Sequence, residues 1–226
     1  MELFSRDKSV WIWESLPGNE YECVDVKQGH TQDVKMVAWH PNGEVLVSCS
    51  YDDSIKVWVD CDGEWECAQT LAGPGLGHSS TVWCLAFNKD GSQMVSCSDD
   101  QTLRIWNCSF DNPAQARCKL SATLSGHHDR TIFSVDWSTN GTIATGSGDN
   151  AVRLFEGSQV QNGESGSAAD HEAASFQLAL TKQQAHNADV NCVRWSPRDP
   201  TLLATAGDDN TVRLWRYKPD PDHPAQ

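Results

Sequence analysis

The chain has 226 residues, 17 of them basic and 31 acidic, which gives a formal charge of −14 and a pI near 4.8. That length is enough for one large or two small domains with a buried core, while the acidic balance disfavours nucleic-acid phosphates and anionic membrane surfaces as partners. The apolar runs are short, the mean hydropathy is −0.52, and the first twenty residues lack a basic-then-apolar order, so neither a membrane span nor a secretory leader is expected and the cytosol or nucleus is the expected compartment.

Residues 1–4 read as a lead-in foreign to the rest of the chain, and residues 5–13 (SRDKSVWIW) as the closing part of a unit that recurs in full four times. The copies are GHTQDVKMVAWHPNGEVLVSCSYDDSIKVW from Gly29, GHSSTVWCLAFNKDGSQMVSCSDDQTLRIW from Gly77, GHHDRTIFSVDWSTNGTIATGSGDNAVRLF from Gly126 and AHNADVNCVRWSPRDPTLLATAGDDNTVRLW from Ala185. In the first copy, VKMVAW, EVLVSCS and SIKVWV lie between turns at His40-Pro41-Asn42-Gly43 and Asp52-Asp53, a pattern that predicts three strands. YECVDV, ECAQTL, CKLSATL and FQLAL each predict a further strand ahead of the next copy, and Asn140-Gly141 marks a hairpin turn in the third. Residues 156–174, rich in Gly, Ser, Ala and acidic side chains, predict a disordered insertion. The prolines of PDPDHPAQ predict a disordered tail.

The closing aromatics Trp13, Trp58, Trp106, Phe155 and Trp215 are 45, 48, 49 and 60 residues apart. This period, the Gly-His opening and the D-x-x-[IVL]-[KR]-[IVL]-W ending resemble the WD40 repeat, which implies an all-β WD40 β-propeller of four full repeats plus a partial one. The expected units are a partial blade at 5–27, repeats at 28–71, 72–124, 125–182 (with the 156–174 insertion) and 183–217, and a tail at 218–226. Seven of the ten tryptophans fall at the closing position or at the end of the first strand, where Trp39, Phe87, Trp137 and Trp195 align, and all of these are expected in the core.

Each copy contains His, a hydroxyl, Asp and an aromatic residue in the same order. Fourfold recurrence argues against a catalytic triad, which needs one activated nucleophile in one pocket, and for a repeated buried hydrogen-bond network. The expected sets are His30-Ser48-Asp52-Trp58, His78-Ser96-Asp100-Trp106 and His186-Thr205-Asp209-Trp215. In the third copy, His128, Thr145 and Asp149 form a network that ends at Thr145, because Phe155 has no indole donor, and His127 becomes a loop residue. The alternative hydroxyl series Ser50, Ser98 and Ser147 fails at Gly207. No phosphate-binding glycine loop, H-E-x-x-H or nucleophile elbow is present, so no catalytic residue is assigned and an enzyme is the weak alternative. Nine cysteines, an odd number with no two-residue gap, give no reason to expect a disulfide scaffold, a metal site or a bound cofactor. The sequons at Asn107 and Asn140 are chance matches in a chain that stays out of the secretory route.

Without a catalytic motif, the expected work is protein binding on loops of a rigid disc. Two positions flanking the first inner-strand residue and one just before the network Asp are expected to face outward. They are Asp33, Lys35 and Tyr51; Thr81, Trp83 and Asp99; Thr131, Phe133 and Gly148; and Asp189, Asn191 and Asp208. Their aromatic and acidic character suits a peptide with apolar and basic features, unless Trp83 and Phe133 serve only to pack between blades.

SRDKSVWIWE followed by YECV, HTQDVK with AWHP, GHSSTVWCLAF followed by SCSDDQTLRIW, HHDRTIFSVDW, and HNADVNCVRWSP ending in WRY together resemble the cytosolic iron-sulfur protein assembly WD40 proteins, from about Ser5 to Tyr217. The resemblance implies a cytosolic and nuclear adaptor that binds a small acidic-loop assembly factor, a large helical-repeat scaffold and client apoproteins. The cluster itself would sit on a partner. It also implies a closed seven-bladed ring, of which about three blades are missing, so a truncated or alternatively spliced product forming an open, poorly stable arc is expected. A generic scaffold (a ubiquitin-ligase substrate receptor or chromatin adaptor) and an inactive truncated isoform are the alternatives.

Overall fold

The structure is a computed structural model that describes residues 2–4, 6–110, 115–157 and 175–218. Five antiparallel sheets follow one another along the chain. The first holds β1 (Glu2–Phe4), β2 (Ser9–Leu16) and β3 (Glu20–Gln28). The second holds β4 (Val34–Trp39), β5 (Val45–Ser50), β6 (Ile55–Cys61) and β7 (Glu64–Leu71). The third is β8 (Val82–Phe87), β9 (Gln93–Ser98), β10 (Leu103–Ser109) and β11 (Arg117–Leu124), and the fourth is β12 (Ile132–Trp137), β13 (Ile143–Ser147), β14 (Val152–Gly157) and β15 (Phe176–Lys182). The fifth has β16 (Val190–Trp195), β17 (Leu202–Gly207) and β18 (Val212–Arg216). No helix among the described residues is long and apolar enough to cross a membrane.

Three expectations need correction. The lead-in is not foreign to the first sheet, because Glu2, Leu3 and Phe4 pair with Ile12, Trp11 and Val10. The insertion begins two residues later than expected, since Glu156 and Gly157 extend β14 opposite Gln177 and Phe176; the rest of it and the tail from residue 219 lie outside the described residues. Finally, Cys108 and Cys118 stand opposite each other on β10 and β11 and are joined as a disulfide.

Sequence dictates the turns and the bulges alike. The turn after each network Asp places Asp53, Gln101, Asn150 and Asn210 at φ between 60° and 65°, a region that Asn and Asp tolerate better than most side chains. The inner strand pair shifts register between Val34 and Met36, Val82 and Cys84, Ile132 and Ser134, and Val190 and Cys192. The extra residue of each bulge is Lys35, Trp83, Phe133 or Asn191. A bulged residue stands outside the ladder and can be aimed independently of the pleat.

The core lies between sheets. Val45, Val47, Ile55 and Val57 of the second sheet pack with Val82 and Leu85 of the third. Leu103 and Ile105 likewise meet Ile132 and Val135, and Val152 and Leu154 meet Val190 and Val193. Trp58, Trp106 and Phe155 are fully buried and Trp137 and Trp195 nearly so, whereas Trp13, Trp39, Phe87 and Trp215 are only half-buried. Trp215 belongs to the fifth sheet, and no further sheet among the described residues packs over it.

Candidate functional site

The networks fix the loops that carry the outward face. His30 Nδ1 lies 2.9 Å from Asp52 and Nε2 lies 2.7 Å from Ser48 Oγ, which accepts the Trp58 indole N–H at 2.9 Å. An indole N–H only donates, so the Ser48 proton goes to Nε2 and the imidazole Nδ1–H goes to Asp52. His78, Ser96, Asp100 and Trp106 repeat these contacts at 2.8 to 2.9 Å, as do His186, Thr205, Asp209 and Trp215 at 2.7 to 2.9 Å. In each of the three, a hydroxyl two residues beyond the Asp closes the ring: Ser54, Thr102 and Thr211 donate to the carboxylate at 2.5, 2.7 and 2.6 Å. Sequence reasoning missed this hydroxyl, although its recurrence was available as a signal.

In the third copy the series is broken, because Ala151 stands where that hydroxyl should be. His128 still reaches Asp149 at 3.0 Å and Thr145 at 2.8 Å. The network does not end at Thr145: its hydroxyl donates to the Arg153 carbonyl at 3.4 Å, and Arg153 Nη1 donates to Asp149 at 2.7 Å while lying 2.6 Å from His128 Nδ1. His127 is also more than a loop residue, since its half-buried ring meets Phe155 edge-on at 5.1 Å between centroids.

Electrostatics follow from these partners. Burial alone would raise the pKa of Asp52 and Asp100, but hydrogen bonds from the histidine, the Ser54 or Thr102 hydroxyl and a backbone N–H outweigh it, holding both far below the usual range. Asp209 is held low chiefly by the Thr211 hydroxyl. Asp149, likewise opposed by burial, is brought to about 2 by His128 and Arg153. Burial lowers His78 and His128. With every ring nitrogen, hydroxyl and carboxylate engaged, these sets hold no free nucleophile or base. Among the described residues, no group of three or more His, Cys, Asp or Glu side chains is placed to hold a metal ion.

The discarded hydroxyl series has its own work at the turn. Ser50, Ser98 and Ser147 accept the N–H of the network Asp and donate to the carbonyls of Gln32, Ser80 and Arg130. At the fourth copy a Cβ on Gly207 would lie 2.8 Å from both the Asp189 carbonyl and the His186 ring. Glycine is the residue that fits there.

Outward from the networks, one backbone hydrogen bond per copy ties two of the three expected face positions together: Tyr51 to Asp33, Asp99 to Thr81, Gly148 to Thr131 and Asp208 to Asp189, at 2.9 to 3.0 Å. The third position is the bulge residue. The structure therefore brings all three together in each copy and joins neighbouring copies through their side chains. Tyr51 meets Trp83 edge-on at 5.4 Å, Trp83 meets Phe133 at 5.2 Å, and the Lys35 ammonium lies 4.2 Å from the Tyr51 ring centroid and 4.9 Å from that of Trp83. All four residues are half-buried, so Trp83 and Phe133 both pack between sheets and line the face. The Trp83 indole N–H is enclosed yet has no hydrogen-bond partner among the described residues. Thr131 donates to Asp99 and Arg130 lies 3.7 Å from Asp189, which ties the acidic rim across copies, while Asn191 donates to Asp208 within the fourth copy. Asp53, not among the expected face residues, is raised by burial and by the negative charges of Asp52, Asp100 and Asp99. The face joins a short aromatic ladder, already receptive to one cation, to a negative surround.

Comparison with known proteins gives a consistent picture. The family described as WD domain, G-beta repeat matches residues 21–59, 65–107, 118–156 and 178–216. A Chlamydomonas reinhardtii protein named as a probable cytosolic iron-sulfur protein assembly protein CIAO1 homolog is 48% identical over 229 residues, covering 89% of this chain and 60% of its own length. A Chaetomium globosum protein named as probable cytosolic iron-sulfur protein assembly protein 1 is 30% identical over 269 residues, covering 95% and 60%. Protein CIA1 of Arabidopsis thaliana is 51% identical over 100 residues, covering 44% and 26%. The chain thus spans about three fifths of the length of the curated relatives that it matches along most of its extent.

Proposed function

This chain belongs to the WD40 family, and from that premise we propose that it is a non-catalytic docking scaffold for the assembly of cytosolic iron-sulfur proteins, working in the cytosol and nucleus through contacts with other proteins. The relatives' names support the process. The single observation that supports the mode of action is the ladder of Tyr51, Trp83 and Phe133, with Lys35 laid across its first two rings. Rigid aromatic side chains bury large contact area at low conformational cost, which is what an anchor at a protein interface requires. The acidic side chains around them favour a partner segment that presents a cation beside apolar residues.

The test has two arms. In cells lacking the endogenous relative, expression of this chain should restore the activity of cytosolic iron-sulfur enzymes, and no restoration overturns the assignment to that process. A Trp83→Ala chain that melts normally should recover its partner proteins from those cells at least tenfold less efficiently than wild type. Equal recovery removes the ladder from the binding face and leaves it a packing role.

A further inference from the structure

Sulfur gathers where the second sheet meets the third. The residue that follows each bulge stands opposite a partner on the neighbouring strand: Met36 opposite Cys49, Cys84 opposite Cys97, Ser134 opposite Gly146 and Cys192 opposite Ala206. Of these four pairs, the third sheet's alone sets two thiols across from each other. Met36 of the second sheet reaches them, since the Cys84 thiol lies 3.2 Å from the Met36 thioether sulfur, which also accepts the Leu85 N–H at 3.5 Å. Cys84 and Cys97 are 4% and 0% exposed, and neither is in a disulfide.

Packing alone would account for a buried cysteine as a small apolar residue, but the surroundings of Cys84 are polar in a particular way. The Cys97 thiol donates to the Cys84 sulfur, and Arg194 Nη1, reaching over from β16, points at the same sulfur from 4.0 Å. Both groups favour a thiolate there. The proton that Cys84 carries has two acceptors, the Met36 sulfur and the Val135 carbonyl at 3.3 Å. Its loss strands neither of them: the carbonyl keeps the Arg194 guanidinium at 3.1 Å, and the thioether keeps a lone pair directed at Cys84. Met36, Leu85, Asp136 and Arg194 line a cavity of about 400 Å³, which supplies an entry path to the sulfurs from the Met36 side.

We propose that Cys84, Cys97 and Met36 bind one cuprous ion, held by two thiolates and a thioether between the inner strands of the second and third sheets. Soft sulfur ligands select Cu(I), which is satisfied by two or three of them. Tetrahedral zinc needs four ligands, and Cys49 is not placed to join the two thiols on one metal ion. Binding exchanges both thiol protons for one cation, with the protons passing to solvent and no change in oxidation state. The loaded site carries one negative charge, and the Arg194 guanidinium already stands beside it.

The probe is Cu(I) itself, added without oxygen as its acetonitrile complex to the full chain, with bicinchoninate as competitor. One equivalent should be retained, and X-ray absorption should show sulfur alone around the copper. Cys84→Ala and Cys97→Ala should each weaken retention at least a hundredfold, because each removes one of two thiolates. Met36→Leu, close to the native side chain in volume, should keep the wild-type melt and weaken retention about tenfold. Cys67→Ala, which removes an exposed thiol, should change nothing. Should a cysteine variant fail to melt cooperatively, Met36→Leu decides. The proposal is overturned if wild type retains no copper against the competitor, if Met36→Leu or a folded Cys84→Ala or Cys97→Ala chain retains it as tightly as wild type, or if retention is lost with Cys67→Ala.

Discussion

The fourth sheet and its three neighbours solve one packing problem in two ways. In the second, third and fifth sheets, a small hydroxyl closes the space beside His and Asp, and an indole closes the far end. The fourth sheet has neither group, and three residues change together to fill the gap: Ala151 vacates the hydroxyl position, Arg153 reaches into it, and Phe155 leaves room that His127 takes. The residue four beyond the Asp is basic in every copy, but Lys56, Arg104 and Arg213 stay half-exposed and bind Thr70, Leu76 and Ala185, Arg213 also donating to Asp209 at 3.1 Å. Only Arg153 is buried, at 7% exposure. A basic side chain at this position is thus half-exposed in three sheets and a core member in the one sheet where the neighbouring hydroxyl and the indole are both missing.

Breaking that contrast at Arg153 should have the largest effect. Arg153→Ala leaves the Asp149 carboxylate buried with its one permanently charged partner removed, a loss that costs about 3–5 kcal/mol in comparable buried pairs. Arg104→Ala removes a half-exposed side chain and should cost less than about 1 kcal/mol. Urea midpoints of the two variants measure the difference, and similar values would mean that the Arg153 pair is no stronger than a surface contact.

These outcomes also mark what the sequence made legible. Blades, turns and the His-hydroxyl-Asp sets were visible because each recurs, and recurrence separates a packing device from an accident. Arg153 was hidden for the complementary reason. A basic residue just after a turn reads as solvated in all four copies, and only the joint loss of the hydroxyl and the indole in one copy distinguishes it. The strand at Glu2–Phe4 is too short to show alternation, and the Cys108–Cys118 pairing depends on the register between β10 and β11, which composition does not reveal. On the outward face the positions were legible from the repeat, but their union into one ladder was not, since edge-on contact between Tyr51, Trp83 and Phe133 depends on how far successive sheets turn.

The pairing of His127 with Phe155 can be tested as a unit. At the equivalent position of the second sheet, a Cβ on Gly29 would lie 2.9 Å from the Trp58 ring, so indole and side chain compete for the same space. Phe155→Trp alone should overpack the site at a cost of about 1–3 kcal/mol. His127→Gly combined with it should recover part of that loss, with a coupling of about 0.5–3 kcal/mol in a double-mutant cycle. Additive single effects would show that the two rings do not share a cavity.

The smallest expected effect lies in pH. A histidine whose folded pKa is depressed binds its proton more weakly than in the unfolded chain, so its contribution is fully present above about 6.5 and is lost as pH falls from there toward the folded value. His78 and His128 both act in this window, through burial. The carboxylates act in a lower one: Asp149, brought from 3.8 to about 2, stabilises the fold above its ordinary range and loses that contribution as pH drops through about 2. Stability should therefore fall in two stages on acidification. His128 differs from the other network histidines in having the Arg153 guanidinium 2.6 Å from its Nδ1, and that positive charge adds to burial in lowering its pKa. In Arg153→Leu, a nuclear magnetic resonance titration should find His128 moved upward and His78 unmoved, so that the first stage becomes shallower at the fourth sheet alone. An unmoved His128 would leave burial as the whole cause and make the guanidinium's role one of hydrogen bonding to Asp149.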